Sequence, residues 1–283
     1  GALIADFTGW RGIEATTVEA ACASGGAAFQ TAVRAISSGD IDVAAVCGVE
    51  KMTDSTTSDI LAALATAADT EFEGMMGASF VALNALIMRR YMHEYGVPHS
   101  AFGPFSINAH ANASNNPNAM FHMQVTQERY DGAPMISDPV NRFDSSPICD
   151  GAAAVILCPL EMVPDLSTRA PVKVLASVTA TDSVTVGDRA NMLELFAAKS
   201  GAERAYAKAG ISPANVDVFE LHDAFTIMAA LSLEAAGFAE PGKGVDLAQN
   251  GDITPSGRVP VSTMGGLKGR GHPVGATGAY EIV

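Results

Sequence analysis

Short apolar runs alternate along the chain with segments in which small or apolar residues recur at helical spacing. EATTVEA (14–20) is β-branched in its middle and predicts a strand, and the apolar residues of 24–37 recur at the spacing of a helix. VAAVCG (43–48) then has the composition of a fully buried strand. A strand, a helix and a strand in such quick succession indicate a βαβ unit and a parallel sheet.

The pattern changes over residues 51–142. This region holds a Ser/Thr/Asp-rich loop, a predicted helix around 79–95 and an Asn-rich stretch, INAHANASNNPNAMF (107–121). Long irregular segments in compact domains usually carry function. We therefore predict that residues 51–142 form a loop excursion over the surface of the domain.

The excursion is followed by the last strand of the first half and then by a second half. DGAAAVILCP (150–159) returns to the buried-strand pattern, and VKVLASVTAT (172–181) predicts the strand that opens the second half. A helix is predicted at 200–210, where Gly210 would form the C-terminal cap, and another at 223–237. A strand is predicted between them at 216–221, and a Gly-rich junction at 264–280 follows them. The prediction is an α/β protein whose halves are residues 1–160, including the excursion, and residues 161–283.

Composition excludes several classes of function. The net charge of −14 argues against a nucleic-acid partner, which needs clustered positive charge. No apolar run is long enough to span a bilayer, so no membrane partner is expected. The four cysteines have no paired or metal-type spacing, which favours reduced thiols and a cytoplasmic protein.

Three reactive side chains stand where a predicted strand or a glycine loop meets a helix: Cys22, His222 and His272. In open α/β sheets, ligands bind at such junctions. A helix N-terminus favours a thiolate, and a neighbouring imidazole can take the thiol proton. The tiny residues around Cys22 would then leave room for an acyl group and let backbone amides approach an oxyanion.

Each of these residues also has a purely structural interpretation. A cysteine is commonly a small buried hydrophobe, which is our interpretation of Cys47, Cys149 and Cys158. His222 and Asp223 could be a helix N-cap pair, and His272 could belong to a simple turn. The occurrence of all three together favours the functional interpretation.

Two further kinds of site are not predicted. The histidines at 93, 99, 110 and 122 fit no compact metal-ligand motif, so no metal is expected. The glycines of 265–278 match neither a P-loop nor a dinucleotide-binding fingerprint, so no nucleotide cofactor is expected.

Several motifs carry a family likeness. CASGGAA (22–28), HDAF (222–225) and GGLKGRGHPVGATG (265–278) resemble the thiolase superfamily. HDAF is typical of the branch shared by sterol-carrier-type and archaeal thiolases. The opening of the chain and VEKMTD (49–54) are similar to archaeal acetoacetyl-CoA thiolases. NAHANASNNPNA (108–119) and SPICDGAAAVIL (146–157) extend the likeness over essentially the whole chain.

The resemblance implies a fold and a chemistry. The fold would be a five-layered αβαβα sandwich of two similar halves, with the excursion over the active site. Cys22 would be the acyl-accepting nucleophile, His272 would activate it, and His222 would help to hold an oxyanion. The family uses CoA thioesters as substrates, and we expect no cofactor.

The implied activity is that of an acetyl-CoA C-acetyltransferase. Two acetyl-CoA molecules would undergo Claisen condensation to acetoacetyl-CoA through a Cys22 thioester, in the mevalonate pathway that feeds isoprenoid biosynthesis. A degradative 3-ketoacyl-CoA thiolase and a non-catalytic acyl-CoA- or lipid-binding protein remain as alternatives. A ketoacyl synthase is less favoured, because GHPVGATG does not match the loops expected of that class.

The resemblance also implies partners and limits. We expect a homodimer or homotetramer, and a complex with HMG-CoA synthase through a zinc-containing OB-fold bridging protein. Relatives begin with a further strand and helix and end with a Gly-rich tail that carries another acid/base residue. We expect both segments to be absent from this sequence.

Overall fold

The computed structural model describes residues 1–283, which form eleven α-helices and four β-strands. In chain order these are α1 (Ala2–Thr8), α2 (Ser24–Ser37), β1 (Ala44–Glu50), α3 (Thr57–Ala65), α4 (Phe80–Tyr95), α5 (Gly103–Ala113), α6 (Gln127–Asp131), β2 (Met135–Ser137), β3 (Val140–Asn141), β4 (Gly151–Leu157), α7 (Val163–Leu166), α8 (Phe196–Ala209), α9 (Thr226–Ala235), α10 (Gly244–Gln249) and α11 (Thr277–Ile282). Short 3₁₀ helices lie at Ala21–Ala23, His99–Phe102, Leu160–Met162, Val186–Asp188, Pro213–Asn215 and Val274–Ala276, and π-helical turns at Thr70–Gly74 and Gly266–Arg270. No helix is both long and apolar enough to cross a membrane.

The chain forms two compact units. The first unit comprises Gly1–Glu50, Gly151–Lys173 and Pro273–Val283, and the second comprises Lys51–Asp150 and Val174–His272. Each unit is therefore assembled from segments that are remote in sequence, and the first unit contains both ends of the chain. The division into sequential halves at residue 160 stays a prediction.

The first unit contains a two-stranded sheet, in which β1 pairs with β4. The pairing is antiparallel and runs from Ala44 opposite Leu157 to Glu50 opposite Gly151. The predicted strand at 14–20 forms no ladder, so the predicted parallel βαβ pairing is not present. An apolar run indicates that a strand can be buried, but it specifies neither the partner nor the direction of pairing.

Two strand predictions in the second half also differ from the structure. Residues 172–181 form no strand, and Val172 and Leu175 are exposed. Residues 216–221 form only an isolated parallel bridge, between Phe219 and Val261. β-Branched composition favours a pleated surface, but a ladder needs a neighbouring strand to accept its hydrogen bonds.

The second unit is built around α4, α5 and α9. Met88, Tyr91, Phe102, Ile227 and Leu231 are almost completely buried in its core. The Tyr91 hydroxyl donates to Glu234 Oε1 at 2.6 Å, which satisfies the polar end of this buried ring. This core supports the segment that precedes α9, where His222 lies.

The helix predictions are the most accurate part of the sequence analysis. α2 spans the predicted residues 24–37, and α4 begins after its N-cap Ser79, whose side chain accepts from Ala82 N. α8 ends at Gly210, which has a φ of 68°, so the predicted glycine C-cap is confirmed. α9 begins only at Thr226, three residues later than predicted.

The Asn-rich stretch differs from its prediction as a surface loop. Its first part belongs to α5, and most residues of that helix are buried. Asparagine is a weak helix former, but tertiary contacts override its preference here. Some of these contacts are asparagine hydrogen bonds to the backbone of the candidate site, described below.

Candidate active site

His222 and His272 lie side by side in the second unit. Their ring centroids are 4.9 Å apart, and the rings meet edge to face. His272 is 8% exposed, and His222 is half-buried. Burial, the largest cause, and the neighbouring His222 lower the pKa of His272 to about 3. His272 is therefore neutral near pH 7, the form in which an imidazole can accept a proton.

A segment earlier in the chain joins the two histidine-bearing segments. Thr226 N donates to Asp144 O at 2.9 Å, and Ser146 N donates to Ala224 O at 2.8 Å. Further along, Ile148 forms a parallel bridge with His272. Residues 144–148 thus lie against both segments by backbone pairing, which fixes their separation.

Asp144 anchors this arrangement from within the core. It is completely buried, and its carboxylate accepts hydrogen bonds from Tyr130 Oη at 2.5 Å, Asn141 N at 2.8 Å and the Thr226 hydroxyl. His99 Nε2 lies 2.8 Å from Asp144 Oδ2. A buried carboxylate is tolerated when its lone pairs are satisfied in this way. His99, one of the four histidines considered above, thus has a structural partner.

Asp223 does not cap a helix. The N-cap of α9 is Phe225, and no side chain caps that helix, so the interpretation of His222 and Asp223 as an N-cap pair is wrong. The Asp223 carboxylate is instead buried and pairs with Lys268 Nζ at 2.8 Å. The glycine-rich junction in which Lys268 lies also carries His272.

Three asparagines missed by sequence reasoning support the same junction. Asn108 Nδ2 donates to Val261 O at 2.9 Å, Asn112 Nδ2 to Ser262 O at 3.0 Å, and Asn116 Nδ2 to Met264 O at 3.0 Å. The available signal was their spacing of four residues, which places Asn108 and Asn112 on one side of α5, with Asn116 just beyond its end. They hold the backbone that leads to His272.

The close approach of this backbone to α5 explains two glycines. A Cβ on Gly265 would lie 2.6 Å from the Cβ of Ala113, and Gly265 has a φ of +108°. A Cβ on Gly269 would lie 2.7 Å from Ala109 O. The glycines of the junction therefore serve close backbone packing, which any larger side chain would prevent.

Cys22 belongs to the first unit. It lies in the 3₁₀ turn just before α2, is half-buried and has a free thiol. Ala21 has a φ of 50°, unusual for a residue other than glycine. Glu19 Oε1 accepts from Ala21 N at 2.5 Å, and Ser24 Oγ donates to Ala21 O at 2.7 Å. These contacts hold the turn that presents Cys22.

The small residues after Cys22 have a packing role. A Cβ on Gly25 would lie 2.6 Å from Ala279 N, and a Cβ on Gly278 would lie 2.4 Å from Gly26 N. A Cβ on Gly26 would meet nothing within 4 Å. The start of α2 thus packs on α11 through Gly25 and Gly278. The predicted role of the small residues in admitting an acyl group stays a prediction.

Two of the motifs quoted above meet in the second unit. Asp150 Oδ1 accepts from Met52 N at 2.7 Å and Thr53 N at 2.9 Å, and Asp150 Oδ2 pairs with Lys51 Nζ at 2.6 Å. These contacts lower the pKa of Asp150, with the Lys51 hydrogen bond as the largest cause. The aspartate of SPICDG therefore fixes the loop of VEKMTD, although the two are remote in sequence.

Comparisons with known proteins find similarity to thiolases over nearly the whole chain. The family described as "Thiolase, N-terminal domain" matches residues 7–161, and "Thiolase C-terminal domain-like" matches residues 178–283. Acetyl-CoA acetyltransferase of Methanothermobacter thermautotrophicus is 44% identical over 284 residues, covering 99% of this chain and 73% of that protein. The protein of the same name from Methanocaldococcus jannaschii is 38% identical and is covered to 72%.

A solved structure also matches. The Ltp2-ChsH2(DUF35) aldolase superimposes with a TM-score of 0.81 at 25% identity, covering 90% of this chain and 68% of that one.

Proposed function

Since the chain belongs to the thiolase family of acyltransferases, we propose that it is an acetyl-CoA C-acetyltransferase that condenses two acetyl-CoA molecules into acetoacetyl-CoA. The pairing of His222 with a buried, neutral His272 carries this proposal. Such a pair supplies a proton acceptor and a hydrogen-bond donor to one small volume, as acyl transfer requires. The similarity to the two archaeal acetyl-CoA acetyltransferases supports the choice of substrate.

In the proposed first half-reaction, His272 takes the proton of the Cys22 thiol. The thiolate attacks the carbonyl carbon of acetyl-CoA, the bond to the CoA sulfur breaks, and free CoA leaves with a proton. The product is an acetyl thioester on Cys22. His222 stabilises the negative charge that develops on a reacting oxygen.

In the second half-reaction, another acetyl-CoA loses a proton from its α-carbon. The resulting carbanion attacks the thioester carbonyl, a carbon–carbon bond forms, and the Cys22 thiolate leaves. The proton released by the α-carbon restores the Cys22 thiol. Atoms balance as two acetyl-CoA giving acetoacetyl-CoA and CoA, so the reaction needs no oxidant, reductant or further cofactor.

The test is to find where acetyl-CoA leaves its acetyl group. Incubation with radiolabelled acetyl-CoA should label Cys22, as peptide mass mapping would show, and Cys22→Ser should abolish the labelling. Cys158→Ser is the matched control, because Cys158 is also half-buried and belongs to the same unit. Labelling without acetoacetyl-CoA formation, but with turnover of longer 3-ketoacyl-CoA, would favour the degradative alternative. Unlabelled Cys22 would favour a non-catalytic acyl-CoA-binding protein.

We also propose the setting in which the enzyme works. Its resemblance to the archaeal branch supports a cytoplasmic homodimer or homotetramer that passes acetoacetyl-CoA to HMG-CoA synthase through a bridging protein, in isoprenoid biosynthesis. The condensation to acetoacetyl-CoA is thermodynamically uphill, so direct transfer of the product to a following condensation would pull it forward.

A further inference from the structure

The segments that carry His222 and His272 run beside each other before they reach the histidines. Phe219 N donates to Pro260 O at 2.9 Å. One residue further, Glu220 Oε1 accepts from Thr263 N at 2.5 Å and from Thr263 Oγ1 at 2.7 Å. These bonds align the start of the two segments but stop short of the imidazoles.

The Asp223–Lys268 pair aligns the same two segments close to the histidines themselves. Asp223 Oδ1 accepts from Leu267 N at 2.7 Å, and Lys268 Nζ donates to Asp223 Oδ2 at 2.8 Å and to Asp223 O at 2.9 Å. The two side chains are 3% and 1% exposed. At Gly266, a Cβ would lie 2.5 Å from Asp223 Oδ2, so the pair sits directly on the glycine backbone.

Such a pair is a poor device for stability alone. Removing two charges from water costs about as much as their attraction returns, and well-packed apolar residues often replace a buried pair without loss. A buried pair adjacent to His222 and four residues before His272 therefore calls for another explanation. Its geometry supplies one, because each partner holds the backbone of the other's segment.

We propose that Asp223 and Lys268 are positioning residues, whose ion pair clamps the segment of His222 to the segment of His272 and keeps the charge beside the two imidazoles balanced. Its catalytic consequence rests on the function proposed above. The clamping of the two segments and the balance of charge beside the imidazoles do not depend on that function, because they concern only residues of the second unit.

The electrostatic part follows from the groups around His272. In this unit the ionisable groups that interact with His272 are His222, Asp223, Arg270 and the Cys149 thiol. Lys268, Glu220 and His110 interact in turn with members of that group or with each other. The Asp223 carboxylate acts to raise the pKa of His272, against the stronger lowering by burial and His222. Lys268 balances that carboxylate. A variant without the lysine charge leaves the Asp223 carboxylate beside His272 without its ion-pair partner.

The test uses the full chain with histidine-labelled NMR, which reports protonation whether or not the enzyme turns over. The titration should extend to about pH 4, where His272 should still be mostly neutral in the unmodified protein. In Lys268→Gln, the pKa of His272 should rise by about one unit or more, as expected for an uncompensated neighbouring charge. The double variant Asp223→Asn/Lys268→Gln, a neutral pair of hydrogen-bonding side chains, should return the pKa toward its original value.

Kinetics supply the second readout. Lys268→Gln should lower kcat about 10²-fold with little change in KM, because small misplacements of catalytic groups have effects of that size. The double variant should recover part of the loss. If all three proteins fold, and His272 titrates alike in each, the proposal is overturned and the pair is merely structural. If the titration moves but no protein forms acetoacetyl-CoA, the proposed function is wrong and the positioning pair stands.

Discussion

His110 should make the protein sensitive to acid for a reason separate from catalysis. It lies in α5, is 3% exposed, and its Nδ1 has no hydrogen-bond partner. Its ring stacks on Phe121, with centroids 5.8 Å apart, and meets Phe143 edge to face at 5.9 Å. Burial, the largest cause, and the charge of Lys268 lower its pKa to about 4.

The sign of the effect follows from proton linkage. As the pH falls below about 6.5, the histidine of the unfolded chain gains a proton while buried His110 stays neutral. The contribution of His110 to stability is thus complete above that pH and is lost as the pH falls toward 4. Between about pH 7.5 and pH 5, the loss amounts to about 2 kcal/mol, since each pH unit below the unfolded value costs about 1.4 kcal/mol.

His110→Phe removes the ionisable group and keeps an aromatic ring beside Phe121 and Phe143. The free energy of unfolding should be measured by urea denaturation at both pH values, because a constant packing change cancels in their difference. That difference should be about 2 kcal/mol smaller in the variant than in the unmodified protein. His93→Gln, at an exposed position of α4, should leave it unchanged. An equal pH difference in His110→Phe and the unmodified protein would refute the reasoning.

Two further predictions concern packing and partners. Gly25→Ala should lower the free energy of unfolding by more than about 1 kcal/mol, as overpacking typically does, because its Cβ would meet the backbone of α11. Gly26→Ala, in open space on the same helix, should be neutral or stabilising by up to about 1 kcal/mol, and equal losses in thermal or urea unfolding would contradict this interpretation. For the proposed complex, affinity purification from the native host should recover HMG-CoA synthase together with a zinc-containing bridging protein. Recovery of a lone homodimer or homotetramer would instead indicate a free-standing enzyme.

The sequence by itself determined the positions of several helices and the identity of the family. α2 and α4 lie where residue spacing indicated, and α8 ends at the predicted Gly210 cap but begins at Phe196, four residues before its predicted start. A helix closes its hydrogen bonds within a few residues, so nearby sequence suffices to specify it. Cys22, His222 and His272 also stood out from the sequence, because reactive residue types beside glycine and small residues form short, recognisable motifs. The thiolase fold inferred from those motifs is confirmed by the family matches and the superposition.

Tertiary structure decided which remote residues meet. The β-branched segments at 14–20 and 172–181 looked like strands but form no ladder, because pairing depends on a partner far away in the chain. The sequence predicted a loop around Asn108, Asn112 and Asn116. In the fold their side-chain amides donate to backbone carbonyls of residues 261–264, which lie about 150 positions later in the chain. Asp223 and Lys268 are 45 positions apart and carry no local sign of their pairing. The two charges must pair because they are buried, and burial is a property of the folded chain.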